Sequence, residues 1–128
     1  MDPRIVVIDD DAHYGEFLVE LLRRAGYRAA AHDSAHLALA ELRTTGHGDP
    51  IAAVITDLLM PDCDGLELLR LLRAEFPAVP VIGISGAVEG DWRRYLHAME
   101  LLGARRVFVK PVDAPALVDA VRQLAAPP

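Results

Sequence analysis

The strongest constraint on this chain is an alternation: five short, mostly β-branched apolar runs, each followed by a longer stretch with helical spacing. Ile5 to Ile8 is a brief run of the kind that forms a strand buried on both faces. Phe17, Leu18, Leu21 and Leu22 then recur at helical spacing, and Gly26 supplies a stop. Tyr27 to Ala31 reads as a weaker strand, followed by a helix carrying Leu37, Leu39, Ala40 and Leu42. The Thr44-Thr45-Gly46-His47-Gly48-Asp49-Pro50 stretch is a loop by its turn residues. Ile51 to Thr56 reads as the third strand and delivers Asp57 at its end. Asp64-Gly65 opens a helix with Leu66, Leu68, Leu69, Leu71 and Leu72, closed before Pro77. Val79 to Ile84 is the fourth strand, with Pro80 near its start. A helix containing Trp92, Tyr95, Leu96, Met99 and Leu102 ends at Gly103. Val107 to Val109 is the fifth strand, and Leu117, Val118, Val121 and Leu124 mark the last helix.

Five βα units in a row predict an α/β fold, with a parallel sheet, helices on both faces and right-handed crossovers. The 128 residues suit a single domain, 1–128. A chain of this size buries roughly two-thirds of its unfolded surface and needs no disulfide or metal staple. Its only cysteine, Cys63, allows no internal disulfide and fits a reducing compartment. The start lacks the basic residues and long apolar run of a signal peptide, and no stretch approaches the ~20 apolar residues of a membrane span. The expectation is a cytoplasmic protein without a membrane partner. A formal net charge of -6 argues against direct contact with nucleic acid, whose phosphates need a positive field.

In parallel sheets the ligand site lies beyond the carboxyl ends of the strands. The first strand delivers Asp9 and Asp10 to that edge, the third Asp57, the fourth Ser85 with Gly86, and the fifth Lys110 with Pro111. Three carboxylates cannot gather unaided, because two like charges ~4 Å apart repel by roughly 4 kcal/mol at an effective dielectric near 20. They must raise their pKa values or hold a cation. A hard divalent ion is the natural answer: Mg2+ takes one or two carboxylates, keeps several waters, and takes a remaining ligand from a phosphate. One carboxylate is then left to act as a nucleophile toward phosphorus. Phosphoryl transfer needs positioning and charge neutralisation, which Lys110 and the Ser85 hydroxyl can supply, and Gly86 leaves room for the incoming group. Lys110 is the only lysine; the other twelve cations are arginine. A compact point charge on a flexible stem, rather than a planar fork, is what the chain places there.

These residues resemble the receiver family of two-component response regulators, typified by the chemotaxis regulator CheY. The matching blocks are Ile5-Val6-Val7-Ile8-Asp9-Asp10-Asp11, Val54 to Gly65 with Asp57, Met60-Pro61 and Asp64-Gly65, Ile82-Gly83-Ile84-Ser85-Gly86-Ala87, and Val109-Lys110-Pro111. The resemblance covers essentially the whole chain. It implies a flavodoxin-like (βα)5 three-layer sandwich with strand order 2-1-3-4-5, which periodicity alone does not choose. It implies Asp57 as phospho-acceptor, Mg2+ (with Mn2+ as a substitute) bound by Asp9, Asp10, Asp57 and the backbone carbonyl of Leu59, and Ser85 as the hydroxyl switch. It further implies that Lys110 reaches the phosphoryl oxygens and that the Lys110-Pro111 bond is cis. The partners implied are a sensor histidine kinase or histidine phosphotransfer protein and a downstream target or output domain, with a homodimer compatible with the family.

Three departures stand beside the likeness. The family usually has an aromatic residue three positions before the lysine, where this chain has Val107. The segment from Ser85 to Lys110 is a few residues longer, around Val88-Glu89-Gly90-Asp91-Trp92. Leu59 and Ala87 are apolar at positions where polar side chains often help position the hydrolytic water, and the expectation is slow self-dephosphorylation. Asp11, Asp62 and Asp64 read as caps and turn residues, the histidines show no ligand spacing, and Cys63 reads as an inert thiol. Trp92 and Tyr95, among arginines, are either core aromatics beside a solvated edge or, together with Val107, an output face. Two rival functions follow from the same residues. One is a docking module that works unphosphorylated; the other is an aspartyl-nucleophile phosphohydrolase, against which stands the lack of an Asp-x-Asp-x-Thr/Val arrangement and of a cap domain. The expectation is a signalling domain rather than an enzyme.

Overall fold

The computed structural model describes residues 3–45, 48–60, 63–86 and 92–125. Five parallel strands form one sheet: β1 (Arg4–Ile8), β2 (Arg28–His32), β3 (Ile51–Asp57), β4 (Val81–Ser85) and β5 (Arg106–Val109), in spatial order β2-β1-β3-β4-β5. Between and after them run α1 (Ala12–Arg24), α2 (Ala35–Thr45), α3 (Gly65–Glu75), α4 (Trp92–Leu101) and α5 (Ala114–Ala125). Leu59–Met60 and Cys63–Asp64 add a two-residue antiparallel ladder just after β3.

The reason the strands are continuous apolar runs is visible in β1. Ile5 and Val7 face a core built with Leu18, Leu22, Leu117 and Val121, whereas Val6 and Ile8 face a second core with Leu39, Leu42, Leu68 and Leu72. Period-two alternation therefore sends the four apolar β1 side chains, Ile5 to Ile8, into one of two apolar layers, with α1 and α5 on one side and α2, α3 and α4 on the other, while Arg4 at the strand's start pairs with Glu41 and Asp49. The outcome is three layers, and the site edge is where β1 and β3 deliver their last residues side by side.

Element ends shift by small amounts, each for a local reason. β4 starts at Val81 and not at Val79, because Pro80 has no N–H for the ladder, although its carbonyl accepts from Val54 N at 3.0 Å. β2 runs Arg28–His32, one residue beyond the expected run, in register with Arg4–Ile8. Its alanines have little intrinsic strand preference, so pairing with β1 sets its limits. Gly26 (φ 99°) and Gly103 (φ 117°) take the left-handed conformation just past α1 and α4. Asp11 caps α1, accepting from His13 N and Tyr14 N, and Asp64 caps α3, accepting from Leu66 N. Ala87, the longer segment up to Asp91, Asp62, and the side chains of Cys63 and Trp92 lie outside the described residues.

Candidate functional site

Asp9 follows β1 and is nearly buried, while Asp10, the next residue, is exposed. Consecutive residues leaving a strand point different ways, which gives one acid from the interior and one from the surface at the same edge. The Asp9 side chain is fixed by its own turn: Oδ1 accepts from Asp11 N at 2.9 Å. Asp57 closes β3, is 5% exposed, and accepts from Leu59 N through Oδ1 at 2.8 Å. Carboxylate oxygens of Asp9, Asp10 and Asp57 all lie within 4.8 Å of one another.

Lys110 reaches this cluster from the end of β5. Its Nζ is 2.8 Å from Asp9 Oδ2 and 3.0 Å from Asp57 Oδ2. Its backbone N donates to Ser85 O at 2.8 Å, and the Lys110-Pro111 peptide is cis. Burial pushes the Asp57 carboxyl above its ordinary value, reinforced by the Asp9 charge and opposed by the Leu59 N–H and the Lys110 ammonium. Burial works against the Lys110 charge, but hydrogen bonds and attraction from Asp9 and Asp57 outweigh it and raise the ammonium above its ordinary value.

Ser85 and Gly86 occupy the same edge without joining the cluster. Ser85 is 1% exposed, and its Oγ donates to the Gly86 carbonyl at 3.1 Å. Among the described residues, a Cβ at Gly86 would meet no atom within 4 Å. Leu59 is 42% exposed. Val107 and Tyr95 both pack against the core on the α2–α3–α4 side. The Tyr95 hydroxyl donates to the Leu58 carbonyl at 3.1 Å, which ties α4 to the residue after Asp57. Burial, with the charges of Asp64 and Asp57, holds that phenol above its ordinary value.

Two contacts escaped the sequence reading. One is this Tyr95 bond into the acid loop. The other is Tyr14, whose ring lies 4.5 Å from Lys110 Nζ and whose hydroxyl accepts from Val112 N at 3.0 Å. A signal for Tyr14 exists, since it continues the stripe of Phe17, Leu18, Leu21 and Leu22 one turn toward the site.

Leu58, the residue after Asp57, is tightly enclosed by two glycines. A Cβ on Gly65 would lie 2.2 Å from the Leu58 carbonyl oxygen, and one on Gly83 would lie 2.5 Å from Leu58 Cδ1. The first clash is with backbone and cannot be relieved by a rotamer change. Gly65→Ala is expected to cost about 1–3 kcal/mol by overpacking and to displace the Leu59 N–H from Asp57. Chemical denaturation measures the first effect, and the Leu59 amide resonance reports the second.

A family model described as response regulator receiver domain matches residues 5–122. The chain belongs to the response regulator receiver family. This receiver is 37% identical over 120 residues to the C4-dicarboxylate transport transcriptional regulatory protein DctD of Pseudomonas aeruginosa, covering 94% of the chain and 24% of that protein. It is 37% identical over 118 residues to the transcriptional regulatory protein FixJ of Azorhizobium caulinodans, covering 91% of the chain and 52% of that protein. The receiver thus spans between a quarter and about half of these relatives. A solved response regulator receiver domain from Clostridium thermocellum superimposes with a TM-score of 0.82 at 30% identity, covering 96% of this chain and 94% of that one. The strand order is that of the (βα)5 fold, which a CheY-like receiver domain protein from Methanospirillum hungatei shares with a TM-score of 0.79.

Proposed function

We propose that Asp57 accepts a phosphoryl group from a phosphohistidine of a sensor histidine kinase or phosphotransfer protein, and that residues 1–128 act as a single receiver domain in the cytoplasm. The observation that carries this reading is the meeting of Asp9, Asp10 and Asp57 with the chain's only lysine at one sheet edge. An Asp57 oxygen attacks phosphorus, the P–N bond breaks, and the imidazole leaves with the electron pair and takes up a proton. Lys110, already 3.0 Å from Asp57 Oδ2, neutralises charge on the transferring group. Ser85 is the hydroxyl available beside it once its bond to Gly86 is given up.

The donor set suits a hard divalent cation. All three side chains offer oxygen, and Asp9 Oδ2 is buried and ion-paired to Lys110 without a hydrogen bond of normal geometry. Asp9, Asp10, Asp57 and the Leu59 carbonyl would hold Mg2+ or Mn2+, which when bound supplies positive charge for the phosphoryl oxygens. Binding to the folded form alone adds about 2.7 kcal/mol of stability at a free Mg2+ concentration 100 times Kd. Thermal melts with and without Mg2+ measure it, and Asp10→Asn reduces it.

The pH dependence has opposite signs with and without the ion. In the metal-free protein the folded Asp57 holds its proton to higher pH than the unfolded chain does. Stability contributed at this residue is therefore lost as pH rises from the ordinary carboxylate range through the raised one. The Mg2+ increment runs the other way and shrinks as pH falls, because the liganding carboxylate must be ionised.

Phosphorylation biases an equilibrium between two arrangements of the output face around Tyr95, Val107 and Trp92, read by a downstream target or output domain. The domain signals and does not turn over external substrates. The test is incubation with a phosphorylated histidine donor and Mg2+. One phosphoryl group per chain with no turnover of phosphate monoesters is expected, and multiple turnover would overturn the reading.

A further inference from the structure

Lys110 has three partners with different character. Asp9 and Asp57 hold its ammonium through charge, at 2.8 Å and 3.0 Å. Both are carboxylates that a divalent cation would also claim. The third is the face of Tyr14, 4.5 Å from Nζ, and an aromatic face attracts an ammonium without competing for a metal. Tyr14 is anchored at both ends. It sits in the first turn of α1, its own N–H capped by Asp11, and its hydroxyl accepts the N–H of Val112, two residues beyond Lys110. The ring also packs against Phe17, with centroids 5.4 Å apart and planes at 59°.

These contacts close a loop from Asp9 through Asp11 and α1 to Tyr14, then through Lys110 back to Asp9. We propose that Tyr14 is a positioning residue for Lys110: its ring keeps the ammonium at the acid edge, and its hydroxyl fixes the 110–112 segment that carries it. The proposal rests on the reading of Asp57 as phospho-acceptor, and it assigns to α1 a share in placing the charge that meets the phosphoryl group.

The single lysine makes the test direct. Protein labelled with 13C,15N-lysine gives one lysine side-chain spin system. In the folded wild type its ε-methylene protons are expected upfield of their position in urea, from the ring current of Tyr14. Tyr14→Leu and Tyr14→Met remove that displacement, and Tyr14→Phe retains it. With acetyl phosphate and saturating Mg2+, Tyr14→Leu slows phosphoryl uptake roughly 2- to 30-fold, the range a cation–π contact supports. Tyr14→Phe recovers most of the rate, and a small-molecule donor removes any effect of kinase docking. In a Lys110→Ala background, Tyr14→Leu adds nothing further. No upfield displacement in the wild type would overturn the proposal, as would equal slowing by Tyr14→Leu with and without Lys110. If the wild type takes up no phosphoryl group, the phospho-acceptor reading fails, and the lysine shift still decides the role of Tyr14.

Discussion

Asp57→Asn is expected to give a folded protein that no longer takes up a phosphoryl group. The amide oxygen can still accept the Leu59 N–H, and Lys110 keeps its ion pair with Asp9. The fold around the site therefore has little reason to change. What disappears is the nucleophile, and loss of a nucleophile costs on the order of 10⁴-fold or more. The substitution also removes a carboxylate whose charged form is disfavoured by burial. Metal-free Asp57→Asn is accordingly expected to be more stable than wild type near neutral pH, with the difference shrinking as pH falls and wild-type Asp57 takes up its proton. Denaturation at two pH values checks this part, and radiolabel uptake checks the first.

Lys110→Ala is the second large effect, and it separates structure from chemistry. Asp9 and Asp57 are almost buried, and both lose their ammonium partner. Stranding buried carboxylates by removing one partner costs about 3–5 kcal/mol, less whatever water recovers at the partly open edge. Mg2+ is expected to restore more stability to this variant than to wild type, since it replaces the missing positive charge. It does not replace the ammonium's contact with the phosphoryl oxygens, so uptake from acetyl phosphate falls by about 10²-fold even with Mg2+ present. Lys110→Arg restores charge without restoring rate, because a planar fork cannot occupy the point between Asp9 Oδ2, Asp57 Oδ2 and the Tyr14 ring.

The sheet was legible because its strands are buried on both faces. A run such as Ile5 to Ile8 has few other places in a chain of this length, and alternation with helical stripes set the layers. β2 was weaker in the sequence because Ala29, Ala30 and Ala31 carry little preference of their own; its bounds come from pairing with β1. Pro80 moved the start of β4 by removing a donor, an effect local enough to be read but not to be placed within one residue.

The acid cluster was legible as a convergence of strand ends, since Asp9 and Asp10 follow β1 and Asp57 ends the neighbouring parallel strand β3. The different environments of Asp9 and Asp10 were not, because adjacency in sequence says nothing of which acid turns inward. Nor could the sequence show that Ser85 bonds to Gly86, or that Tyr14 and Tyr95 reach across from helices. Those contacts join residues 37 to 98 positions apart or depend on a single hydroxyl rotation, and periodicity carries no information about either.

The most direct test is intact-mass analysis after incubation with Mg2+ and acetyl phosphate, followed by mapping of the modified peptide. Wild type is expected to gain one phosphoryl group on the peptide holding Asp57, with none gained when Mg2+ is chelated. An unmodified wild type, or equal labelling of Asp57→Asn, would contradict the assignment of this carboxylate as the acceptor.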